Sequence, residues 1–354
     1  MKIGILTFHW ATNYGAILQC LALQNYLISQ GHDVEVINYK PLQYNDSLYN
    51  FIRARKFLHL TDYINERKKE NVLALFRKNN LKLTELVNSC KALPSVVSKF
   101  DVIISGSDQV VNPSFLMNGE GRNIISPTYY LGFPYSGKRV GYALSFGCVS
   151  FPESCIDIAS KYIREFNSIS VRETSGVEIV AAMGRRDAVV VPDPTLLMPS
   201  NFYHALALQD IKNDTYIYSF FIRNIASRKN LIGTCLCGEM ILWNNTEGDF
   251  SMEGWLAKIK NARYVITDSF HCVVMCLKLH KPFIVITEHK GNVGMNDRLY
   301  TLLELCGLSR RIVWREAFTD DVDHLYNEID WNYVDSVLDD YANRGKEFIN
   351  KSLR

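Results

Sequence analysis

Short runs of β-branched and apolar residues alternate along this chain with longer stretches whose apolar positions recur every three to four residues. This alternation predicts parallel strands joined by helices, because a crossover helix covers the sheet between two consecutive parallel strands. The predicted strands span residues 3–6, 34–37, 102–105, 140–144, 169–171, 188–191, 216–221, 240–243, 264–267 and 283–286. The pattern therefore predicts an α/β protein.

The two ends of the chain carry the clearest helical patterns. Residues 13–30 place their apolar positions on one face and stop at Gly31, between the first two predicted strands. This is a Rossmann-like opening without the glycine fingerprint, so a dinucleotide is not indicated. Residues 332–349 are amphipathic, and we expect this closing helix to cross back to the first domain.

The length of 354 residues exceeds one ordinary core and suits two domains. The turn Pro192-Asp193-Pro194 separates the two sets of predicted strands. We therefore predict a first Rossmann-like domain over residues 1–195, a second over 196–330, and a C-terminal helix over 331–354 that packs on the first domain.

Composition narrows the function classes. A formal net charge of +2 argues against a dedicated nucleic-acid binder. No apolar stretch reaches the roughly 20 residues of a membrane-spanning helix. The nine cysteines form neither a CxxC pair nor a regular framework, and no secretory leader precedes them, which predicts reduced thiols in the cytosol. Cys272 and Cys276 stand one helical turn apart, but no second ligand cluster accompanies them, so we predict no metal site.

An insertion at about residues 40–83 interleaves aromatic and basic residues. Its positive charges are Arg53, Arg55, Lys56, Arg67, Lys68, Lys69, Arg77, Lys78 and Lys82. Basic amphipathic helices can lie on anionic lipid surfaces, whereas a charge run on a helix is more often a solvated face. Both interpretations stay open, so we expect a cytoplasmic protein with peripheral contact at the inner face of a membrane as one alternative.

The segment 267–271, Thr-Asp-Ser-Phe-His, stands between a predicted strand and a predicted helix. A helix N-terminus favours bound anions and disfavours an imidazolium. His271 is therefore placed to act as a neutral base beside a phosphate or carboxylate. The alternative is a packed histidine near a helix cap.

Polar residues follow most of the predicted strands, where ligands of open α/β sheets bind. They are Thr7, His9, Asn13, Tyr14, Gly15, Gly106, Ser107, Asp108, Gln109, Arg172, Arg223, Asn224, Asn244, Asn245, Ser269 and His271. Each residue alone is explained by a turn, a cap or a surface ion pair. Together they predict a cleft that binds an anionic small molecule.

Several of these segments resemble the polysaccharide pyruvyl transferase family. The resemblance is carried in order by segments 2–16, 105–109, 170–173, 191–195 and 267–271, and it extends from residue 1 to about residue 310. One departure is Val111, where family members often carry Trp. The resemblance implies an α/β fold of two Rossmann-like domains facing a central cleft, as in GT-B glycosyltransferases.

The resemblance also implies a reaction. Phosphoenolpyruvate would serve as donor, without a cofactor, and a sugar diol as acceptor, joined as a cyclic pyruvate ketal in capsular or exopolysaccharide precursor biosynthesis. We expect His271 as base, Asp108 as acid if burial keeps it protonated, and Arg172 as the cation that holds the donor. The expected substrate-binding residues are Asn13, Tyr14, Gly15, Ser107, Arg223, Asn224, Ser269, Asn296 and Arg298.

Two other functions remain open at this stage. One is a glycosyltransferase that uses a nucleotide sugar, which the same architecture would suit. The other is a protein that binds an anionic metabolite without catalysis. The expected partners are phosphoenolpyruvate, a sugar acceptor that could be linked to polyprenyl diphosphate, and an anionic membrane surface, with no nucleic acid.

Overall fold

The computed structural model describes residues 1–44, 60–208, 215–223, 225–236, 238–243, 250–287, 296–314 and 328–354. The chain divides into two compact units. Unit 1 contains Met1–Leu197 and Arg344–Arg354, and unit 2 contains Met198–Asn343. The first division lies two residues beyond the boundary expected from the sequence.

Unit 1 is built on a six-stranded parallel sheet. Its strands are β1 (Lys2–Leu6), β2 (Asp33–Val36), β3 (Val102–Gly106), β4 (Lys138–Leu144), β5 (Ser168–Val171) and β6 (Val189–Val190). They lie in the order β2-β1-β3-β4-β5-β6. β1 and β3 are almost wholly buried, as expected for central strands that are covered on both faces.

The helices of unit 1 follow the strands and cover the sheet. They are α1 (Tyr14–Ser29), α2 (Leu60–Asn80), α3 (Leu93–Val97), α4 (Pro113–Asn118), α5 (Glu153–Ile163), α6 (Thr174–Ala182) and α7 (Pro194–Leu197). α1 begins where Asn13 accepts hydrogen bonds from the amides of Gly15 and Ala16. It is buried along most of its length, which explains its broad apolar surface.

Unit 2 repeats the architecture with a five-stranded parallel sheet in the order β11-β10-β9-β7-β8. Its strands are β7 (Ile217–Phe220), β8 (Ile241–Trp243), β9 (Tyr264–Thr267), β10 (Phe283–Thr287) and β11 (Ile312–Trp314). Its helices are α8 (Ser200–Leu206), α9 (Ile225–Cys235), α10 (Met252–Lys260), α11 (Phe270–Lys278) and α12 (Asp297–Leu305). The predicted α/β class with parallel sheets is thereby confirmed.

The last helix, α13 (Trp331–Leu353), contributes residues from Arg344 onward to unit 1. A Cβ on Gly345 would lie 2.6 Å from Tyr142 Oη, 2.8 Å from Pro192 Cγ and 3.0 Å from Leu197 Cδ2. Tyr142 cannot yield easily, because its hydroxyl donates a hydrogen bond to Pro192 O at 3.0 Å. The absence of a side chain at position 345 therefore lets the end of this helix pack closely against Tyr142 and Pro192 of unit 1.

The structure differs from the predicted elements in two strands. β11 was not predicted, since its three residues are too short to show a period. β6 is two residues long where four were expected. The insertion contains the long helix α2, whereas its residues 45–59, with Arg53, Arg55 and Lys56, lie outside the described residues. Across the described residues, no helix is both long and apolar enough to span a membrane.

We predict that Gly345→Ala destabilises the protein. Overpacking costs about 1–3 kcal/mol, which exceeds the roughly 1 kcal/mol that alanine gains over glycine in a helix. Gly233→Ala in α9 is the matched control, because among the described residues no atom other than those of its chain neighbours and of its own helix backbone lies within 4 Å of the added Cβ. Urea denaturation should give a lower free energy of unfolding for the first variant and an equal or higher one for the second. Equal values for the two variants would contradict the packing argument.

Candidate functional site

In unit 1, Arg172 is buried among carboxylates just beyond the end of β5. Its side chain is 1% exposed, and its Nη1 lies 2.7 Å from Asp193 Oδ2. Its Nη2 lies 3.5 Å from Asp108 Oδ1, and its Nε lies 4.0 Å from Glu173 Oε2. Burial alone lowers the pKa of Arg172, but the three carboxylates outweigh it and hold the pKa above its ordinary value.

Asp193 closes this network from the other side. Its Oδ2 also accepts a hydrogen bond from Ser107 Oγ at 2.9 Å. Its Oδ1 accepts from the amide of Thr195 at 3.0 Å and from the Thr195 hydroxyl at 2.6 Å. Asp193 therefore connects the loop after β3, the residue after β5 and the N-terminus of α7.

The network changes the expected roles of Arg172 and Ser107. The guanidinium already contacts carboxylates, so a donor anion would have to compete with Asp193 for it. Ser107 is fully buried, and its hydroxyl donates to Asp193. In this structure both residues position the loops, and their predicted contacts with substrate stay predictions.

Asp108 is the most exposed of the carboxylates around Arg172, with 17% of its side chain accessible. Its backbone has a φ of 68°, which few residues other than glycine adopt. The turn is held because its carbonyl accepts hydrogen bonds from the amides of Val110 at 2.8 Å and Ser145 at 3.2 Å. A guanidinium 3.5 Å away stabilises a carboxylate rather than a carboxylic acid. The condition set for Asp108 as the acid is therefore not supported by its surroundings.

The loop after β1 forms a second part of the unit 1 site. Asn13 uses its Oδ1 to accept from the amides of Gly15 at 2.9 Å and Ala16 at 3.2 Å. The amide of Gly15 thus already donates to the cap. The predicted contact of Gly15 with substrate stays a prediction. The ammonium of Lys69, from α2, lies 4.7 Å from the centre of the Tyr14 ring. Burial lowers the pKa of Lys69, and Glu66 and Glu70 oppose that shift.

His9 lies deep in the same loop. Its Nδ1 is 3.2 Å from Thr7 O, and its Nε2 is 3.1 Å from Asn38 Oδ1. Burial is the main reason why the pKa of His9 falls to about 4, with a smaller contribution from the charges of Arg77 and Lys40. The ring is therefore neutral and structural near pH 7.

In unit 2, the segment 267–271 folds as the predicted strand, turn and helix. Thr267 Oγ1 donates to Phe220 O at 2.6 Å and accepts from the amide of Ser269 at 3.0 Å. Ser269 then caps α11 by accepting from the amide of Cys272 at 3.4 Å. This arrangement places His271 in the first turn of α11.

Asp268 carries the second connection from this segment. Its Oδ1 accepts from the amide of Ile222 at 2.7 Å, and its Oδ2 accepts from the amide of Arg223 at 3.2 Å. Burial raises the pKa of Asp268, while these two hydrogen bonds and the charges of Arg228 and Arg223 oppose the shift. The carboxylate thus fixes the loop that presents Arg223 beside the His271 segment.

A further predicted residue, Arg298, lies near the same turn. The ring of His271 packs edge to face on Phe270, with centroids 5.3 Å apart and an interplanar angle of 84°. The guanidinium of Arg298 lies over the Phe270 ring, 5.5 Å from its centre. Asn296 precedes α12 and is buried. His271 itself is 6% exposed, and Asn224, Asn244 and Asn245 lie outside the described residues.

Three residues important for this geometry were not predicted as site residues. Asp193 and Asp268 stand inside the motifs, but a carboxylate in a motif does not reveal which backbone or cation it will meet. Lys69 stands in the insertion, where its charge could not be told from those on the solvated face.

Comparison with known proteins identifies the family. The sequence profile of the polysaccharide pyruvyl transferase family matches residues 13–290, which include the Arg172 network and the segment 267–271. The chain belongs to this family. A search of curated proteins gave no match.

Solved structures with similar folds include UDP-N-acetylglucosamine 2-epimerases. The Rickettsia bellii enzyme is 8% identical, with 99% of this chain and 96% of that chain covered and a TM-score of 0.52. The MnaA–UDP co-structure from S. aureus is 9% identical, with 99% and 96% covered and a TM-score of 0.51. A putative UDP-N-acetylglucosamine 2-epimerase from Listeria monocytogenes is 8% identical, with 97% and 94% covered and a TM-score of 0.50.

These likenesses concern the fold alone, and they agree with the GT-B-like class expected for this pyruvyl transferase family member. Val111, the departure from the family pattern, is fully buried in the core of unit 1, and its carbonyl accepts a hydrogen bond from Tyr130 Oη at 2.6 Å. Within the described ranges, no group of three or more His, Cys, Asp or Glu side chains is placed to hold a metal ion. Seven cysteines are free thiols: Cys20, Cys90, Cys148, Cys155, Cys272, Cys276 and Cys306.

We predict that Asp193→Ala is far more destabilising than Asp108→Ala. Removing Asp193 takes the closest counter-charge from a buried cation, which costs about 3–5 kcal/mol. Asp108 is farther from Arg172 and partly exposed, so its loss should cost about 1 kcal/mol or less. Chemical denaturation of both variants and the parent measures the difference. Similar losses would show that Arg172 does not depend on Asp193.

We predict that His9 makes the protein acid-sensitive between about pH 6.5 and pH 4. The pKa of this histidine falls from 6.5 when unfolded to about 4 when folded, so the unfolded state binds the proton more tightly. Stability from the neutral ring is complete above pH 6.5 and decreases by about 3 kcal/mol as the pH falls through this window. His9→Gln should flatten the pH dependence of the unfolding free energy there. An unchanged slope would contradict a buried, neutral His9.

Proposed function

We propose that this chain transfers the pyruvate group of phosphoenolpyruvate to a sugar diol and forms a cyclic pyruvate ketal. The observation that carries the proposal is the family match across residues 13–290, which includes the strand, turn and helix around His271.

The chemistry requires one proton at carbon and the removal of two hydroxyl protons. Protonation of the donor's CH₂ carbon makes the central carbon electrophilic, and the first sugar hydroxyl adds to it as its proton leaves. The C–O bond to phosphate then breaks, and the second hydroxyl adds to the same carbon as it loses its proton. Inorganic phosphate and the ketal are the products.

His271 is the proposed base for the hydroxyl protons. It stands in the first turn of α11, directly after the Ser269 cap, and its ring packs edge to face on Phe270. Because Asp108 lies beside Arg172, it suits a role as a hydrogen-bond acceptor better than a role as an acid. We therefore leave the residue that protonates carbon unassigned.

Arg223 and Arg298 are the proposed contacts for the donor's phosphate and carboxylate. Both arginines are half-buried. Arg223 lies in the loop after β7, which Asp268 holds, and Arg298 lies in the first turn of α12, over the Phe270 ring. Partial burial strengthens an ion pair relative to one in water. Ser269 and Asn296 are further proposed contacts for the same donor.

We further propose that the acceptor sugar belongs to a capsular or exopolysaccharide precursor. A precursor carried on a polyprenyl diphosphate would be presented at the inner face of a membrane. An enzyme acting there needs no membrane-spanning segment of its own.

The proposal is tested by incubating the purified protein with phosphoenolpyruvate and a panel of sugars and sugar lipids. Phosphate release that requires an acceptor, together with an acceptor product carrying a pyruvate ketal in mass spectrometry, supports it. Consumption of a nucleotide sugar instead would identify a glycosyltransferase. Binding of phosphoenolpyruvate without product from any acceptor would favour the non-catalytic alternative.

We predict that His271→Ala reduces turnover about 10²–10⁴-fold, the usual contribution of a general base. His204→Gln is the control, because His204 is a half-buried histidine of α8 outside the site, and it should keep the parental rate. Thermal unfolding of both variants must show an intact fold. Ketal formation by His271→Ala at the parental rate would exclude His271 as the base.

A further inference from the structure

Helix α2 has two faces of different chemistry. The residues that point away from the rest of unit 1 include Ile64, Val72 and Leu75, which are 43%, 37% and 59% exposed. Arg67, Lys68 and Lys78 are exposed and stand at helical spacing around these apolar side chains. We call these six residues the outer face of α2.

The acidic residues of α2 that follow position 62 lie on the opposite side. Between residues 63 and 80 they are Glu66 and Glu70, which are one turn apart and share the stripe that carries buried Leu73. Glu70 forms an ion pair with Arg77 and accepts a hydrogen bond from Thr12 Oγ1 at 2.7 Å. The outer face is thus apolar and cationic, with no carboxylate among its members.

The inner face of α2 packs on the loop that leads into α1. Besides the contact from Thr12 to Glu70, Arg77 Nη1 lies 3.5 Å from Ala11 O, and Lys69 lies over the ring of Tyr14. A helix with its side chains is about 10 Å across. A surface that contacts the outer face would therefore lie about one helix diameter from a loop of the proposed site.

We propose that the outer face of α2 docks on an anionic lipid bilayer. Lysine and arginine side chains around exposed aliphatic residues match both layers of such a surface, the charged head groups and the acyl chains beneath them. The apolar residues are interrupted by charges, which suits a bilayer interface better than the contiguous apolar core of a stable protein interface. That docking brings the enzyme to a lipid-linked acceptor rests on the proposed function. The docking itself does not depend on that function.

Vesicle sedimentation tests this inference without any assay of turnover. The full chain should sediment with vesicles of phosphatidylcholine mixed with phosphatidylglycerol and remain in solution with phosphatidylcholine alone. Each basic residue contributes about fivefold to partitioning on an anionic surface, so Lys68→Gln with Lys78→Gln should weaken binding about 25-fold. Raising the salt from about 0.1 M to about 1 M shortens the screening length from about 10 Å to about 3 Å and should release the protein.

Matched controls separate the outer face from general surface effects. Arg310→Gln with Lys351→Gln removes the same charge from exposed positions outside α2 and should leave binding unchanged. Leu75→Ser should weaken binding, whereas Leu86→Ser should not, although both leucines are 59% exposed. Point substitutions are sharper than deletion of the insertion, since deletion would also remove the contacts of Lys69 and Glu70 with the α1 loop.

Three results would overturn the inference. The first is no sedimentation of the parent with anionic vesicles. The second is equal loss of binding in the α2 variants and their controls. The third is a fall in the molar mass, measured by light scattering without vesicles, when Lys68 and Lys78 are substituted. That result would make the outer face a contact between two copies of this chain. Active protein that fails to bind vesicles would refute only this inference, and bound but inactive protein would refute only the proposed function.

Discussion

The buried ion pair between Arg172 and Asp193 is the interaction on which the unit 1 site depends. A guanidinium removed from water is costly unless carboxylates surround it, and here three of them do. Those carboxylates come from the ends of different strands, so neutralising one cation also fixes several loops relative to each other. Asp108 is held in its left-handed backbone conformation at the most exposed edge of this network.

In unit 2, hydrogen bonds from side chains to the main chain hold the site loops in place. Thr267, Asp268 and Ser269 each satisfy a different backbone group, on the end of β7, the loop after it and the first turn of α11. Such contacts are short-ranged and directional, so they set the position of a loop more accurately than apolar packing does. The two units therefore present candidate site residues on rigid supports, one ionic and one built on backbone amides.

Helix α2 connects the site to the outside of unit 1. Its inner face joins Glu70 and Lys69 to the loop before α1, and its outer face carries exposed basic side chains. The insertion is thus part of the support of the α1 loop as well as an exposed surface.

The sequence by itself determined the α/β class, nearly all of the strands and the motifs that identify the family, because hydrophobic periodicity and local turn chemistry are written in neighbouring residues. It also located Ser269 and His271 at a helix start, which depends on only a few consecutive positions. Only the tertiary structure decided that Arg172 meets Asp193, that the amide of Gly15 is taken by Asn13 and that Lys69 reaches Tyr14. These outcomes depend on which residues distant in sequence become neighbours, and on how burial makes a charge accept the nearest counter-charge rather than water or a ligand.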